Sequence, residues 1–291
     1  MMAARSKAGA AAMSLPDHRT ERVASGDVSL FCRAFGRTGK TPIVVLHGTN
    51  YFDSYDWIGV AGALAADREV VAFDHRGFGQ SSWSLSKDYS LDALLGDVIA
   101  VSDRFGFQTP VVMGHSMSGR LGIIFAANRP DRLSKLIVVD SGLDRGAPGA
   151  YTLSVGNPPT VFESAEAAMA HFAVRKNPPR FALDRERAGH ALRPVDGGVM
   201  LTRDPDYTNR IPQGDGAKEP ALREVDVWAE LAKVRCPATV VRGLRSDRWT
   251  PEILDRLATE FPQVRIVEVD AQHDVAHGAP GALVDAVRAF A

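Results

Sequence analysis

Residues 110–122 read PVVMGHSMSGRLG. An apolar run ends at Gly114, Ser116 follows it, and a helix-like stretch covers residues 117–128. A nucleophile on a sharp strand-to-helix turn needs small residues two positions before and two positions after it, because the strained backbone leaves no room for larger ones. Gly114 and Ser118 meet this need, so the stretch predicts a nucleophilic Ser116. An ordinary serine at the helix N-cap is the alternative.

Outward from this stretch, short apolar runs alternate with helix-like segments. The runs cover 28–35, 42–47, 69–74, 110–114, 135–140, 238–243 and 264–269, and the helix-like segments cover 58–66, 90–106, 117–128, 251–260 and 280–290. From the second run onward the apolar residues are continuous, which is typical of strands buried on both faces. The alternation predicts an α/β fold with a mostly parallel sheet and helices on both of its faces.

Two parts of the chain break this alternation. Residues 141–220 contain several Pro and Gly, helix-like pieces and no clear apolar strand, and they are too many for a plain loop. Because ligands bind at the carboxyl ends of parallel strands, these residues predict an inserted, mainly helical lid. Residues 1–18 are rich in Ala and predict a disordered leader. Residues 19–140 and 221–291 remain as the α/β core.

Charge and composition exclude several classes of protein. The 34 Lys and Arg against 35 Asp and Glu give a formal net charge of −1, without the basic excess of a general nucleic-acid binder. Apolar stretches fall short of the roughly 18 residues of a membrane span, so we expect a cytoplasmic protein without membrane partners. Cys32 and Cys236 form neither a disulfide framework nor a metal-ligand spacing. No metal and no cofactor is expected.

Further motifs follow in a fixed order on either side of Ser116. His47-Gly48 ends the run PIVVLH, residues 74–81 read DHRGFGQS, Asp247 follows the run ATVVRG, and His273 follows the last run. With these motifs the sequence resembles the α/β-hydrolase superfamily, in its lidded form with a serine nucleophile, from about residue 28 to the end. The resemblance implies an eight-stranded, mostly parallel sheet and a catalytic triad in the chain order Ser, Asp, His.

The resemblance also implies the roles within the triad. Ser116 is the nucleophile, His273 takes its proton, and Asp247 fixes the tautomer of the histidine. Two alternatives stay open. Asp140, which ends the run KLIVVD, competes with Asp247 for the role of the acid, and His277 competes with His273 for the role of the base.

An oxyanion hole is implied by the same resemblance. The backbone N–H groups of Thr49, which follows His47-Gly48, and of Met117 are its expected donors. The family's usual elbow has a second glycine where this chain has Ser118. Candidate substrate contacts flank these elements or lie in the predicted lid: His115, Arg120, Tyr51, Phe52, Arg193 and Trp249. A structural role within the core is the alternative for each of them.

Residues 171–193 carry six basic and two acidic side chains, a local charge of +4. Such a segment is typical of a solvated helix face with ion pairs between successive turns. The alternative hypothesis is that one arginine, Arg120 beside the elbow or Arg193 in this segment, binds an anionic group of the substrate.

A serine nucleophile on this family's scaffold implies hydrolysis of a small-molecule carboxylic ester, lactone, thioester or amide through an acyl-enzyme. One alternative is a C–C bond hydrolase of dienoate ring-fission products, although the Gly-rich run usual after His47-Gly48 in those enzymes is absent. Another is a non-catalytic ligand receptor built on the same scaffold. The expected partner is the small-molecule substrate, and the chain is expected to be a monomer or a homodimer.

Overall fold

The computed structural model describes residues 15–37, 39–49, 53–143, 159–173, 185–209 and 225–291. Its strands are β1 (Arg19–Ser25), β2 (Val28–Phe35), β3 (Lys40–Leu46), β4 (Arg68–Phe73), β5 (Val111–His115), β6 (Lys135–Val139), β7 (Leu192–Val195), β8 (Gly198–Leu201), β9 (Ala238–Gly243) and β10 (Arg265–Val269). Its helices are α1 (Ile58–Leu64), α2 (Leu91–Arg104), α3 (Met117–Asn128), α4 (Ala165–Ala173), α5 (Arg185–Ala191), α6 (Pro205–Asn209), α7 (Val227–Leu231), α8 (Pro251–Glu260), α9 (Val275–Gly278) and α10 (Pro280–Phe290), with a 3₁₀ turn at Ser54–Trp57.

Eight strands form one sheet in the order β1-β2-β4-β3-β5-β6-β9-β10. The pairings of β2 with β1 and with β4 are antiparallel, and the others in this sheet are parallel. The predicted eight-stranded, mostly parallel sheet is therefore confirmed. Its central strands are buried along both faces, which explains their continuous apolar runs.

Helices cover both faces of the sheet, as predicted. One apolar cluster joins the sheet to α2, α3, α7 and α8, and a second joins the opposite face to α1, α9 and α10. The parallel strands bring their carboxyl ends to one edge, so the residues that follow β3, β5, β6, β9 and β10 meet there.

Two parts of the strand pattern differ from the prediction. The edge strand β1 reads RTERVAS. Val23 is the one buried residue in it, so the strand needs no apolar run. Strands β7 and β8 form an antiparallel hairpin within residues 141–220, where a mainly helical lid without a clear strand was predicted. An Asp196-Gly197 pair makes the turn between them, with φ +84° at the glycine. Asp-Gly between two short strands is a strong hairpin signal that the helical interpretation overlooked.

Residues 159–173 and 185–209, which we call the inserted segment, lie between β6 and α7 in the chain. They comprise α4, α5, α6 and the β7–β8 hairpin. The segment has a small apolar cluster of its own, which includes Phe162, Phe172 and Leu201. Its role as a lid stays a prediction, and residues 144–158, 174–184 and 210–224 lie outside the described residues.

The end of the predicted leader packs against the core. Residues 1–14 lie outside the described residues, but the His18 ring stacks on Phe35 with centroids 5.0 Å apart. Pro16 lies against Gly62, where a Cβ atom would come within 2.4 Å of it. The prediction of disorder is therefore wrong for Pro16 and His18.

Among the described residues, no helix has the length and apolarity that crossing a membrane requires.

Candidate active site

Ser116 lies on a strained turn between β5 and α3. Its backbone has φ +56° and ψ −122°, a region that residues other than glycine rarely adopt. The turn is tight: a Cβ atom on Gly114 would lie 2.1 Å from the carbonyl oxygen of Ser118. A side chain at position 114 would therefore force the strand and the helix apart, which is the steric reason for glycine there.

The predicted nucleophile and the predicted base are in contact. The Oγ of Ser116 lies 2.9 Å from Nε2 of His273. His273 follows β10 and is 1% exposed, so its ring is held inside the protein. Its backbone carbonyl accepts hydrogen bonds from Nε2 of His115, at 2.9 Å, and from the N–H of Val275, at 3.0 Å. These contacts hold the backbone of His273 beside Ser116.

The carboxylate that meets this histidine belongs to Asp140. Its Oδ2 lies 2.6 Å from Nδ1 of His273, and its side chain is fully buried. Asp140 follows β6, the strand next to β5, and the N–H of Ser116 donates to the carbonyl of Val139 at the end of β6. The residue after β6 therefore lies beside the nucleophile. Its own φ of +44° turns the chain at this point.

The prediction that Asp247 pairs with His273 is wrong. The Asp247 side chain is 30% exposed, and its Oδ1 lies 3.8 Å from Nε of Arg248. It sits four positions beyond the end of β9, in a loop whose other residues reach the site. Instead of the carboxylate, the chain after β9 supplies hydrogen-bond donors to Asp140, among them Ser246 and Trp249.

Four donors surround the Asp140 carboxylate. Oδ1 accepts from the N–H of Gly243 at 2.8 Å and from the indole Nε1–H of Trp249 at 3.0 Å, while Oδ2 accepts from the Ser246 hydroxyl at 2.5 Å and from His273. Burial raises the pKa of Asp140 to about 6, although the hydrogen bonds from Ser246, Gly243 and Trp249 lower it in part. The predicted substrate contact Trp249 thus bonds to the acid.

The segment after β3, residues 47–49, lies against Ser116. A Cβ atom on Gly48 would lie 3.4 Å from Cβ of Ser116 and 2.9 Å from Nδ1 of His115. Met117 begins α3, where backbone N–H groups have no partner within the helix. The predicted oxyanion donors, Thr49 and Met117, thus belong to backbone segments on either side of Ser116. Tyr51 and Phe52 lie outside the described residues.

Two buried histidines support this segment. Nε2 of His47 accepts from the backbone N–H of His75 at 2.9 Å, so Nδ1 of His47 carries the proton and donates to the carbonyl of Gly48 at 2.6 Å. The Ser118 hydroxyl donates to the carbonyl of His47 at 2.5 Å and lies 2.8 Å from Nε2 of His75. Burial lowers the pKa of both histidines, that of His47 to about 3, so they are neutral.

The pairing of His75 with Ser118 was not predicted from the sequence. The signal was a serine at the position where the family's elbow has glycine, together with a histidine between Asp74 and Arg76. Because Ser118 bonds to both His47 and His75, it connects α3 to the segments after β3 and β4. Ser118 is fully buried, whereas Ser116 is partly exposed at the site.

The two arginines proposed to bind an anionic substrate make other contacts. Arg120 is 2% exposed, and its guanidinium donates to the backbone carbonyls of Leu143, at 3.3 Å, and Val225, at 3.1 Å. These bonds hold the backbone shortly after β6 and shortly before α7 to α3, which is a structural role. The Arg193 guanidinium lies 4.2 Å from the centroid of the Trp83 ring, against which it packs. His115 is likewise buried and bonded to the backbone of His273.

Comparison with known proteins gives consistent results. The family model described as the alpha/beta hydrolase fold matches residues 41–280. A proposed carbamate hydrolase, RutD, of Pseudomonas savastanoi pv. phaseolicola is 28% identical over 235 residues, which cover 78% of this chain and 84% of that protein. The structure of E-2-(acetamidomethylene)succinate hydrolase superposes with a TM-score of 0.78 at 23% identity, over 94% of this chain and 99% of that chain. The enol-lactonase of Burkholderia xenovorans LB400 gives 0.68 at 21% identity, over 93% and 99%.

Proposed function

Because the chain belongs to the α/β-hydrolase fold family, we propose that it is a serine hydrolase that cleaves an acyl bond of a small molecule through an acyl-enzyme. The observation that carries the proposal is an unbroken line of hydrogen bonds. Asp140 Oδ2 lies 2.6 Å from His273 Nδ1, and His273 Nε2 lies 2.9 Å from Ser116 Oγ. A carboxylate, an imidazole and a hydroxyl in this order form the arrangement that activates a serine.

The protons follow from these contacts. Asp140, when ionised, can only accept, so Nδ1 of His273 carries the ring proton and Nε2 is free to accept from the Ser116 hydroxyl. As Oγ attacks the acyl carbon, His273 takes the hydroxyl proton and then delivers it to the leaving group. A water molecule repeats the sequence on the acyl-enzyme and releases the acid. Asp140 stabilises the imidazolium in both halves of the reaction.

The oxyanion that forms on the acyl oxygen requires donors beside Ser116. The backbone N–H groups of Met117 and Thr49 are the proposed donors, supported by the start of α3 after the nucleophile and by the close approach of Gly48. The buried His47, His75 and Ser118 hold the backbone of this segment in place. Donors fixed in this way need no reorganisation when the charge develops.

Carboxylic esters, lactones and thioesters are the first candidate substrates, because a serine triad cleaves them most readily. A second candidate is a carbamate or an amide. It is supported by the relative of 28% identity, which is named a carbamate hydrolase and aligns over 78% of this chain and 84% of its own length. Parallel kinetics on p-nitrophenyl acetate, a γ-lactone, an N-alkyl carbamate and a dienoate ring-fission product separates these classes. The highest kcat/KM on the dienoate would contradict both candidates in favour of C–C hydrolysis.

Covalent labelling tests the proposed nucleophile directly. A fluorophosphonate probe reacts with an activated serine: the bond from Oγ to phosphorus forms as fluoride leaves, and the hydroxyl proton passes to the histidine. We expect one phosphonyl group per folded chain, on the peptide that contains Ser116, and slower labelling in excess p-nitrophenyl acetate. Heat-denatured protein is the control and should stay unlabelled. Folded protein without a label, as expected of a ligand receptor, or a label on Ser118 would contradict the proposal.

Replacing Trp249 with Phe is expected to move the acidic limb of the kcat/KM profile to higher pH. The indole N–H stabilises the charged form of Asp140, whose pKa burial has already raised to about 6, so its loss raises that pKa further. At low pH the Asp140–His273 pair binds one additional proton, and in the variant it keeps this proton to higher pH. Nε2 of His273 can accept from the Ser116 hydroxyl only after this additional proton has left. Steady-state hydrolysis of p-nitrophenyl acetate across the acidic and neutral range measures the limb.

Trp228→Phe is the matched control for this profile. Trp228 is also buried, but it stacks on Phe261 at a centroid distance of 5.6 Å and belongs to α7. Its replacement should leave the limb in place. An unshifted limb for the Trp249 variant would mean that the indole has no influence on the carboxylate.

A further inference from the structure

A buried arginine of the inserted segment reaches two carboxylates of the core. Arg187 lies on α5, and its side chain is 8% exposed. Its Nε is 2.6 Å from Oδ1 of Asp56, and its Nη2 donates to Oδ2 of Asp274 at 3.0 Å. The two acids are also largely buried, with side chains 5% and 12% exposed. One guanidinium therefore bridges two separate parts of the core.

Both acids adjoin the candidate catalytic groups. Asp274 is the residue after His273 and precedes α9. Asp56 lies in the 3₁₀ turn that follows the segment after β3, and its Oδ2 accepts from the backbone N–H of Asp53 at 3.0 Å. The arginine thus joins the loop that carries the base to the region that follows the proposed oxyanion donor Thr49. Its position in the inserted segment makes this link dependent on how that segment is placed.

Charge and shape both favour arginine at this position. A buried carboxylate without a cationic partner is costly: burial raises the pKa of Asp56, and the charge of Arg187 opposes this shift. A guanidinium presents several donors in one rigid plane and can meet two carboxylates at once, whereas a lysine ammonium is a point charge on a flexible stem. The bridge therefore requires this side chain and not simply a positive charge.

Other contacts dock α5 on the same part of the core. The Tyr55 hydroxyl donates to Oε1 of Glu186 at 2.6 Å, and the Tyr55 ring stacks on His190 with centroids 3.5 Å apart. These contacts attach α5 to the 3₁₀ turn, whereas the bond from Arg187 to Asp274 extends to the histidine loop. This bond therefore connects the position of α5 to the position of the loop that carries His273.

We propose that Arg187 is a positioning residue: by bridging Asp56 and Asp274 it fixes the His273 loop in its reactive place when the inserted segment is docked. This inference rests on the proposed serine hydrolase function, since it assigns His273 the role of the base. Arg187 itself touches neither Ser116 nor the reacting atoms in this role. Its effect is on the geometry between Nε2 of His273 and Oγ of Ser116.

The test compares Arg187→Lys and Arg187→Gln with Arg185→Gln. Arg185 lies on the same helix, but its side chain is 85% exposed and its Nη2 lies 3.6 Å from Oε1 of Glu166, itself an exposed side chain. Three measurements are made on each protein: kcat and KM for p-nitrophenyl acetate, the rate of fluorophosphonate labelling per folded chain, and amide hydrogen exchange in the peptide that contains residues 271–279. Misplacement of a catalytic group by about 1 Å can cost about 10²-fold in rate.

For Arg187→Gln we therefore expect kcat and the labelling rate to fall by about 10²-fold with KM changed less than about threefold. Arg187→Lys keeps the positive charge but loses the planar guanidinium with its several donors. This variant should fold, and its kcat and labelling rate should lie between those of Arg187→Gln and the wild type. Faster exchange in residues 271–279 should accompany both losses. Arg185→Gln should match the wild type in all three measurements.

Several outcomes overturn the inference. Variants of Arg187 that keep the wild-type kcat and labelling rate would show that the bridge does not place the base. A rise in KM alone would mean that the arginine only holds the inserted segment near the substrate. If Arg187→Gln does not fold, Arg187→Lys decides by the same criteria, and unchanged exchange in residues 271–279 counts against the inference. A wild-type protein without label at Ser116 is a different result, because it refutes the serine hydrolase function itself.

Discussion

Replacement of Ser116 by alanine is expected to lower kcat on p-nitrophenyl acetate by about 10⁶-fold, the size of loss seen when the nucleophile of a serine triad is removed. Without Oγ no acyl-enzyme forms, and His273 has no hydroxyl proton to take. Activity should stay above the rate in water, because proposed oxyanion donors and substrate contacts remain. The fold should survive, since alanine meets the same backbone strain at φ +56° as serine does.

Ser102→Ala is the matched control for this substitution. Ser102 is buried in α2, and its hydroxyl donates to the carbonyl of Val98 at 2.7 Å, away from the sheet edge that holds the site. The same loss of one oxygen atom should leave kcat unchanged there. Steady-state assays on both variants, with unfolding followed by circular dichroism, separate chemistry from stability. A Ser116→Ala variant that keeps more than about a hundredth of the activity would exclude the acyl-enzyme.

Asn in place of Asp140 is expected to lower kcat by about 10⁴-fold, because an amide no longer favours the Nδ1–H tautomer of the histidine. The amide also presents an NH₂ group to donors that now face a carboxylate, among them the N–H of Gly243 and the indole of Trp249. The loss should therefore appear at every pH, and raising the pH should not restore activity. Steady-state kinetics at several pH values measures it.

Asp247→Asn makes this result specific. Asp247 was the acid favoured by its position after β9, but its carboxylate is partly exposed and lies near Arg248. The substitution should change kcat by less than about threefold, far below the loss of about 10⁴-fold expected for Asp140→Asn. If the losses were reversed between the two variants, Asp247 and not Asp140 would be the partner of His273 during catalysis.

Much of this architecture can be predicted from the sequence because local chemistry determines it. The apolar runs define the buried strands, and small residues around Ser116 define a tight turn. The acid could not be chosen in this way. Asp140 and Asp247 both follow parallel strands, so both come to the same edge of the sheet. The choice depends on β6 lying next to β5 and on the positive φ of Asp140, neither of which the residue types reveal.

The contacts of the inserted segment were beyond sequence analysis for a related reason. Arg187 is one of six basic residues in a segment of charge +4, and as a pattern it is indistinguishable from a solvated side chain. Its burial between Asp56 and Asp274 arises from contacts between positions 131 and 87 residues apart in the chain.

Strand β1 was missed because it is an edge strand. With one buried residue, Val23, it carries little apolar signal in the sequence.

The position of Asp140 has a consequence for how proteins of this kind diversify. The proposed nucleophile and the proposed acid both lie on one β–α–β unit, β5-α3-β6, and the inserted segment begins only after Asp140. Their relative placement is thus set by a unit that is complete before the inserted segment starts. We expect the insertion to accept changes in length and sequence, and with them new substrates, while the spacing of the reactive pair is inherited intact.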